Sequence, residues 1–98
     1  MSQQEINKII IDTLLPYHPI MIGLFGSRVR DDNREDSDLD ILVNLKKPIG
    51  LFEFGDLEES LSGKLGIKVD LVSESGIRNP LLKKYILKDL KVIYAERW

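Results

Sequence analysis

The stretch GSRVRDDNREDSDLDILV, residues 26–43, sets the reading of the whole chain. A Gly-Ser turn closes the apolar run Ile20–Phe25, and an S-D-x-D element, Ser37 to Asp40, opens the next apolar run. Asp38 and Asp40 lie two residues apart at the head of a strand-like segment, so their side chains point to one face. At about 3.3 Å per residue, their Cα atoms stand roughly 6.5 Å apart. Carboxylates at that spacing can converge on metal ions. Gly26, having no side chain, lets a phosphate approach the backbone closely. Ser27 adds a hydroxyl and a backbone N–H, and a helical turn begun there directs further donors at an anion. The pattern points to a site for a nucleoside triphosphate. Arg28 is a candidate phosphate contact, with pairing to a nearby acid as the alternative, and Ser37 is a further candidate nucleotide contact.

Upstream of this stretch, Ser2 and Glu5 match a capping box, and Ile6, Ile9, Ile10 and Leu14 recur at helical spacing until Pro16 and Pro19 end the helix. Ile20–Phe25 then reads as a buried strand. Downstream, Leu39 to Leu45 forms a second strand, with Leu39, Ile41 and Val43 on one face and Asp38, Asp40 and Leu42 on the other. Lys47, Pro48 and Gly50 mark a turn. Phe54, Leu57, Leu61 and Leu65 then fit a helix expected to run to about Gly63. The third strand, IKVDLV, starts after Gly66 and carries Asp70 on the face opposite Ile67, Val69 and Leu71. Asn79-Pro80 has the form of an N-cap with proline at the first helical position, predicting a helix from Leu81 to about Asp89. Val92 to Ala95 reads as a final strand. The order αββαβαβ predicts an α+β fold, a mixed sheet flanked by helices, in a single domain over residues 1–98. The short connection between the first two strands predicts that they pair antiparallel.

The composition narrows the function. The 98 residues, 43% of them hydrophobic, suffice for one core. The net charge of -2 gives no general attraction to nucleic acid, and no direct nucleic-acid binding is expected. Six acids crowd between Asp31 and Asp40, a concentration that bound divalent cations would offset. The absence of cysteine excludes disulfides, thiolate catalysis and sulfur-ligated metals. The N-terminus lacks the pattern of a signal peptide, and no apolar run approaches the ~20 residues of a membrane span. The expectation is a cytoplasmic protein without membrane contact. His18, in a loop between prolines, reads as structural or solvated; Asp31, Asp32, Glu35 and Asp36 read as a solvated loop. Tyr85, Tyr94 and Trp98 read as packing residues, and KKYILK as a helix with a basic face.

A lone D-x-D is weak, because paired acids often cap turns or face solvent. Here Gly26-Ser27 precedes it, and Asp70 stands on a strand expected beside it. Mg²⁺ prefers oxygen ligands, commonly one or two carboxylates plus water and substrate phosphate, and two such ions about 3.5–4 Å apart can stabilise both attacking and leaving oxygens. Asp38, Asp40 and Asp70 are therefore the candidate metal ligands, with Asp70 also placed to help deprotonate an acceptor hydroxyl.

The segment GSRVRDDNREDSDLD resembles the G-S-x(10)-D-x-D signature of the DNA polymerase β-like nucleotidyltransferases, and the short chain is similar to their minimal nucleotidyltransferase (MNT) branch. The resemblance covers most of the chain. It implies Gly26 and Ser27 at the triphosphate, Asp38, Asp40 and Asp70 at two Mg²⁺ ions, and ATP as substrate. It further implies an antitoxin that transfers AMP to a tyrosine of a HEPN-type RNase toxin and releases pyrophosphate. The alternative is a catalytically weak antitoxin that neutralises the toxin by binding alone. Val29 and Glu35 depart from the small residues or proline common in relatives, without touching the metal ligands. The chain lacks the helical domain that larger relatives use to hold the acceptor, so acceptor contacts are expected from a partner or a second copy.

Overall fold

Ser2 caps the first helix through a reciprocal pair of bonds. Its hydroxyl accepts the Glu5 N–H at 3.1 Å and the Glu5 carboxylate accepts the Ser2 N–H at 3.3 Å, opening helix α1 (Gln3–Leu14). Pro16 lies in a single 3-10 turn, His18 adopts a left-handed backbone (φ 56°), and strand β1 (Pro19–Phe25) follows. One helical turn, α2 (Ser27–Arg30), comes directly after Gly26, and strand β2 spans Leu39–Leu45. The computed structural model describes residues 1–30 and 37–96, so the loop reading of Asp31, Asp32, Glu35 and Asp36 and the packing role of Trp98 lie outside the described residues.

The next helix differs from its expected limits. Helix α3 runs from Leu51 to Leu65, starting before Phe54 and passing through Gly63. A helical glycine costs about 1 kcal/mol, too little to end a helix whose Leu57, Leu61 and Leu65 are all buried. The terminator is Gly66, which takes φ 66° and donates its N–H to the Ser62 carbonyl at 2.9 Å. The third strand is correspondingly shorter: β3 spans Val69–Ser73, while the Lys68 carbonyl accepts the Leu39 N–H at 2.9 Å. Asn79 caps helix α4 (Pro80–Lys88), its Oδ1 accepting N–H groups of Leu81 and Leu82 at 2.9 and 3.3 Å, with Pro80 in the first turn. Strand β4 covers Lys91–Ala95.

Among the described residues the four strands form one sheet in the order β3-β2-β1-β4. β1 runs antiparallel to both β2 and β4, as the short β1–β2 connection predicts. β2 and β3 are parallel, and α3 makes the crossover that a parallel pair requires. Alternation then sorts the sheet's faces. Ile22, Leu24, Leu39, Ile41, Val43, Val69 and Leu71 join Ile6, Ile10 and Leu14 of α1 and Leu57, Leu61 and Leu65 of α3 in one buried cluster. α3 also closes the outer edge of β3: the Ser62 hydroxyl accepts the Val69 N–H at 2.9 Å, and the Glu58 carboxylate accepts the Leu71 N–H at 2.8 Å.

The opposite face holds Gly23, Phe25, Asp40, Leu42, Asp70 and Val72, and α4 lies over it. Gly23 lets Leu90, just beyond the end of α4, pack close to the sheet: a Cβ there would stand 2.5 Å from Leu90 Cδ1 and the leucine would have to shift. Among the described residues no helix is long and apolar enough to cross a membrane. Leu61, fully buried between helix and sheet, is the most direct test of this core. Leu61→Ala should lower stability by about 2–5 kcal/mol in urea melts with an unchanged m-value.

Candidate active site

Gly26 ends β1 in a left-handed conformation (φ 82°) that residues with a side chain rarely adopt. It is glycine for a second reason: a Cβ at this position would collide with the Asp40 carboxylate. The backbone at the end of β1 therefore rests directly on an acid of the neighbouring strand. The antiparallel register sets this contact by pairing Phe25 with Asp40. On the other side of β2 the parallel register pairs Asp40 with Asp70, and neighbouring strands lie about 4.8 Å apart.

The two carboxylates floor a hollow of about 470 Å³ between the sheet and α4, within the size range of small-molecule sites. Gly26, Ser27 and Arg30 form one rim, Phe25 and Val72 continue the floor, and Leu82, Tyr85, Ile86 and Asp89 form the opposite wall. The N–H groups of Val29 and Arg30 are taken by the Gly26 carbonyl at 3.1 and 3.2 Å. Those of Ser27 and Arg28, at the start of the turn, have no acceptor within it.

Asp40 carries the electrostatic signature of the site. Burial pushes its carboxyl above the usual range, and the charges of Asp70 and Asp38 push it further, with the Arg30 guanidinium pulling the other way. Asp38 lies just before β2, half-exposed, with its Oδ2 3.8 Å from Lys68 Nζ. Among the described residues no three His, Cys, Asp or Glu side chains already converge as a metal cage. The donor set nonetheless fits a hard cation that brings water and substrate phosphate with it, since Mg²⁺ commonly takes only one or two protein carboxylates. Asp40 and Asp70 are the pair that could hold it, with Asp38 two residues away along the chain.

Of the residues expected at the nucleotide, Gly26 and Ser27 line the hollow, as do Asp40 and Asp70. Arg28 sits elsewhere. Its Nε and Nη2 donate to the Ser37 carbonyl at 3.1 and 2.8 Å, tying the turn after β1 to the residues that open β2. Arg28 and Ser37 thus hold the ends of the segment between them, and Arg28 lines a separate recess with Gln3 and Asn7. Arg30 takes the place in the hollow that the sequence reading gave to Arg28. Its Nη1 donates to Asp89 Oδ2 at 2.9 Å, joining α2 to the end of α4. Helical spacing after Ser27 offered a signal for this, because position 30 returns to the side of the turn that position 27 occupies. Tyr85, expected as packing, is 64% exposed and stands in the wall of the hollow. Tyr94 does pack against the core.

Comparison with known proteins shows the family and the fold. Residues 5–97 match the family model described as polymerase beta, nucleotidyltransferase. A putative protein adenylyltransferase of Methanocaldococcus jannaschii, MJ1217, is 48% identical over 69 residues, covering 70% of this chain and 70% of that protein. Two crystal structures share the fold at 24% identity. A toxin–antitoxin structure with AMP-PNP superposes with a TM-score of 0.83 over 93% of this chain and 74% of the other. The second is a tri-AMPylated Shewanella oneidensis HEPN toxin in complex with MNT antitoxin, with a TM-score of 0.80 over 97% of this chain and 74% of the other.

The crowding at Asp40 has a measurable consequence in metal-free protein. A carboxyl whose folded pKa is raised holds its proton more tightly in the folded than in the unfolded state. Its stabilising contribution is complete below the ordinary value of 3.8 and is lost as pH rises through the folded pKa. With EDTA present, Asp40→Asn should melt at a higher temperature than wild type at neutral pH, and the difference should close as pH falls below 3.8. Thermal melts across that range decide it, and a difference independent of pH would contradict the electrostatic account.

Proposed function

Because the chain belongs to the polymerase beta nucleotidyltransferase family, we propose that it is a Mg²⁺-dependent protein adenylyltransferase that acts as an antitoxin. In this reading it transfers AMP from ATP to a tyrosine hydroxyl of a HEPN-type RNase toxin and releases pyrophosphate. The observation that carries the proposal is the register that sets Asp40 beside Asp70 under the Gly26–Ser27 turn. Support comes also from the adenylyltransferase name of the M. jannaschii relative and from the AMPylated HEPN toxin in the structurally similar complex.

The residues divide the work by position. The turn at Gly26–Ser27 offers the Ser27 hydroxyl and its leading N–H groups to the phosphates, and the missing Cβ of Gly26 lets the Asp40 carboxylate lie against the turn. Arg30, on the same rim, adds a fork of donors suited to phosphate oxygens. Asp38, Asp40 and Asp70 would hold Mg²⁺, which when bound supplies positive charge to the α-phosphate and to the leaving pyrophosphate. Asp70 is exposed and on the edge strand, open to an acceptor arriving from solvent, where it can take the hydroxyl proton. The acceptor oxygen then bonds to the α-phosphorus as the bond to the pyrophosphate oxygen breaks. The wall formed by Leu82, Tyr85 and Ile86 limits water on one side of the hollow.

Transfer of α-labelled phosphate from ATP to a co-expressed HEPN-type partner tests the proposal. The double variant Asp38→Asn, Asp40→Asn should lose at least about a hundredfold in labelling, the scale expected for removal of electrostatic stabilisation at a transition state. Equal labelling by wild type and variant would refute it. If the unlabelled variant still protects cells fully, neutralisation proceeds by binding alone. Gly26→Ala should also depress labelling, because the added methyl group must displace the Asp40 carboxylate.

A further inference from the structure

Helix α4 is amphipathic, yet little of its apolar surface is used inside the molecule. Ile86 is its one buried residue, whereas Leu81, Tyr85 and Leu82 are 75%, 64% and 51% exposed. Leu81, Lys84, Tyr85 and Lys88 follow helical i, i+3, i+4, i+7 spacing and form one outward stripe around a shallow depression. Isolated exposed leucines are ordinary on protein surfaces. This stripe differs in being continuous with the candidate active site, because Tyr85 belongs to both the stripe and the wall of the hollow.

The charge of the stripe is also specific. The chain as a whole carries -2, but Lys83, Lys84 and Lys88 lie on α4, and the neighbouring acid, Asp89, is engaged by Arg30. An apolar strip flanked by lysines selects against basic partners and favours a surface that offers carboxylates around an apolar anchor.

From this continuity and charge we propose that the outer stripe of α4 is the docking surface for the acceptor protein, which meets it with an acidic, apolar segment. The inference rests on the transfer reading above, since an acceptor hydroxyl at Asp40 and Asp70 lies in the same hollow whose wall Tyr85 forms. Docking on α4 holds the acceptor in register with the hollow.

The test uses the full chain, isotope-labelled for NMR, titrated with a short tyrosine peptide flanked by glutamate and leucine and with a matched peptide carrying lysine in place of glutamate. The acidic peptide should bind with shifts centred on residues 81–88, and the lysine peptide should not. Lys84→Glu combined with Lys88→Glu should weaken the acidic peptide by about tenfold or more and admit the lysine peptide. Leu81→Ser should weaken the acidic peptide several-fold, about what loss of one exposed apolar anchor costs. None of these residues lines the hollow, so Mg²⁺-dependent binding of AMP-PNP should be unchanged in both variants.

Equal binding of the two peptides, or no binding of the acidic one up to about 1 mM, would overturn the proposal. Sedimentation that shows a wild-type dimer dissociated by Leu81→Ser would assign the stripe to a second copy and overturn it equally. Charge-selective docking on α4 without AMP transfer to the peptide or to a HEPN-type partner would leave the docking surface standing and remove the transfer reading. Transfer to the partner that is indifferent to the α4 variants would do the reverse.

Discussion

The candidate site depends on one close approach, that of the Gly26 backbone to the Asp40 carboxylate. It exists because β1 turns away immediately after Phe25, whose antiparallel partner is Asp40, so the turn must pass over that residue's side chain. Only glycine satisfies both demands of the position, a backbone at φ 82° and the absence of a Cβ. The contact in turn fixes where the N–H and hydroxyl donors of the turn lie relative to the acid. Arg28 reinforces the same geometry by clasping the Ser37 carbonyl, so that the end of β1 and the beginning of β2 are joined by more than the ladder between them.

The two faces of the sheet are built unequally, and the inequality makes room for chemistry. One face is closed by α1 and α3 over a continuous aliphatic cluster. The other carries α4 alone among the described helices, anchored by Ile86, by Leu90 seated against Gly23, and by the Arg30–Asp89 ion pair. Between α4 and the sheet a hollow remains, and Asp40 and Asp70 floor it. Burial and the charges of Asp70 and Asp38 disfavour the ionised form of Asp40, a cost that a bound divalent cation would relieve.

Much of this was legible in the residues. The capping box at Ser2, the Asn79-Pro80 start of α4, and the alternation that put Asp40 opposite Ile41 all depend on groups within a few residues of one another. The limits of α3 and β3 were not legible, because burial of Leu65 against the sheet outweighs the local cost of Gly63, and burial is a property of the assembled fold. That Arg30 rather than Arg28 faces the hollow was not legible for a similar reason. Two arginines two residues apart on one helical turn point to different sides, and which side faces the hollow follows from how the turn packs on β2.

By itself the sequence determined the elements, the side-chain faces and the chemical types available at them, since capping, turn formation and alternation act over short stretches of chain. It thereby identified Gly26, Ser27, Asp38, Asp40 and Asp70 as candidates together. Only the tertiary structure decided that β3 lies parallel against β2, which sets Asp70 in register with Asp40, and that α4 closes one side of the hollow with Tyr85 and Asp89. Strand neighbours and register are selected by packing between segments distant in the chain, which no short stretch encodes.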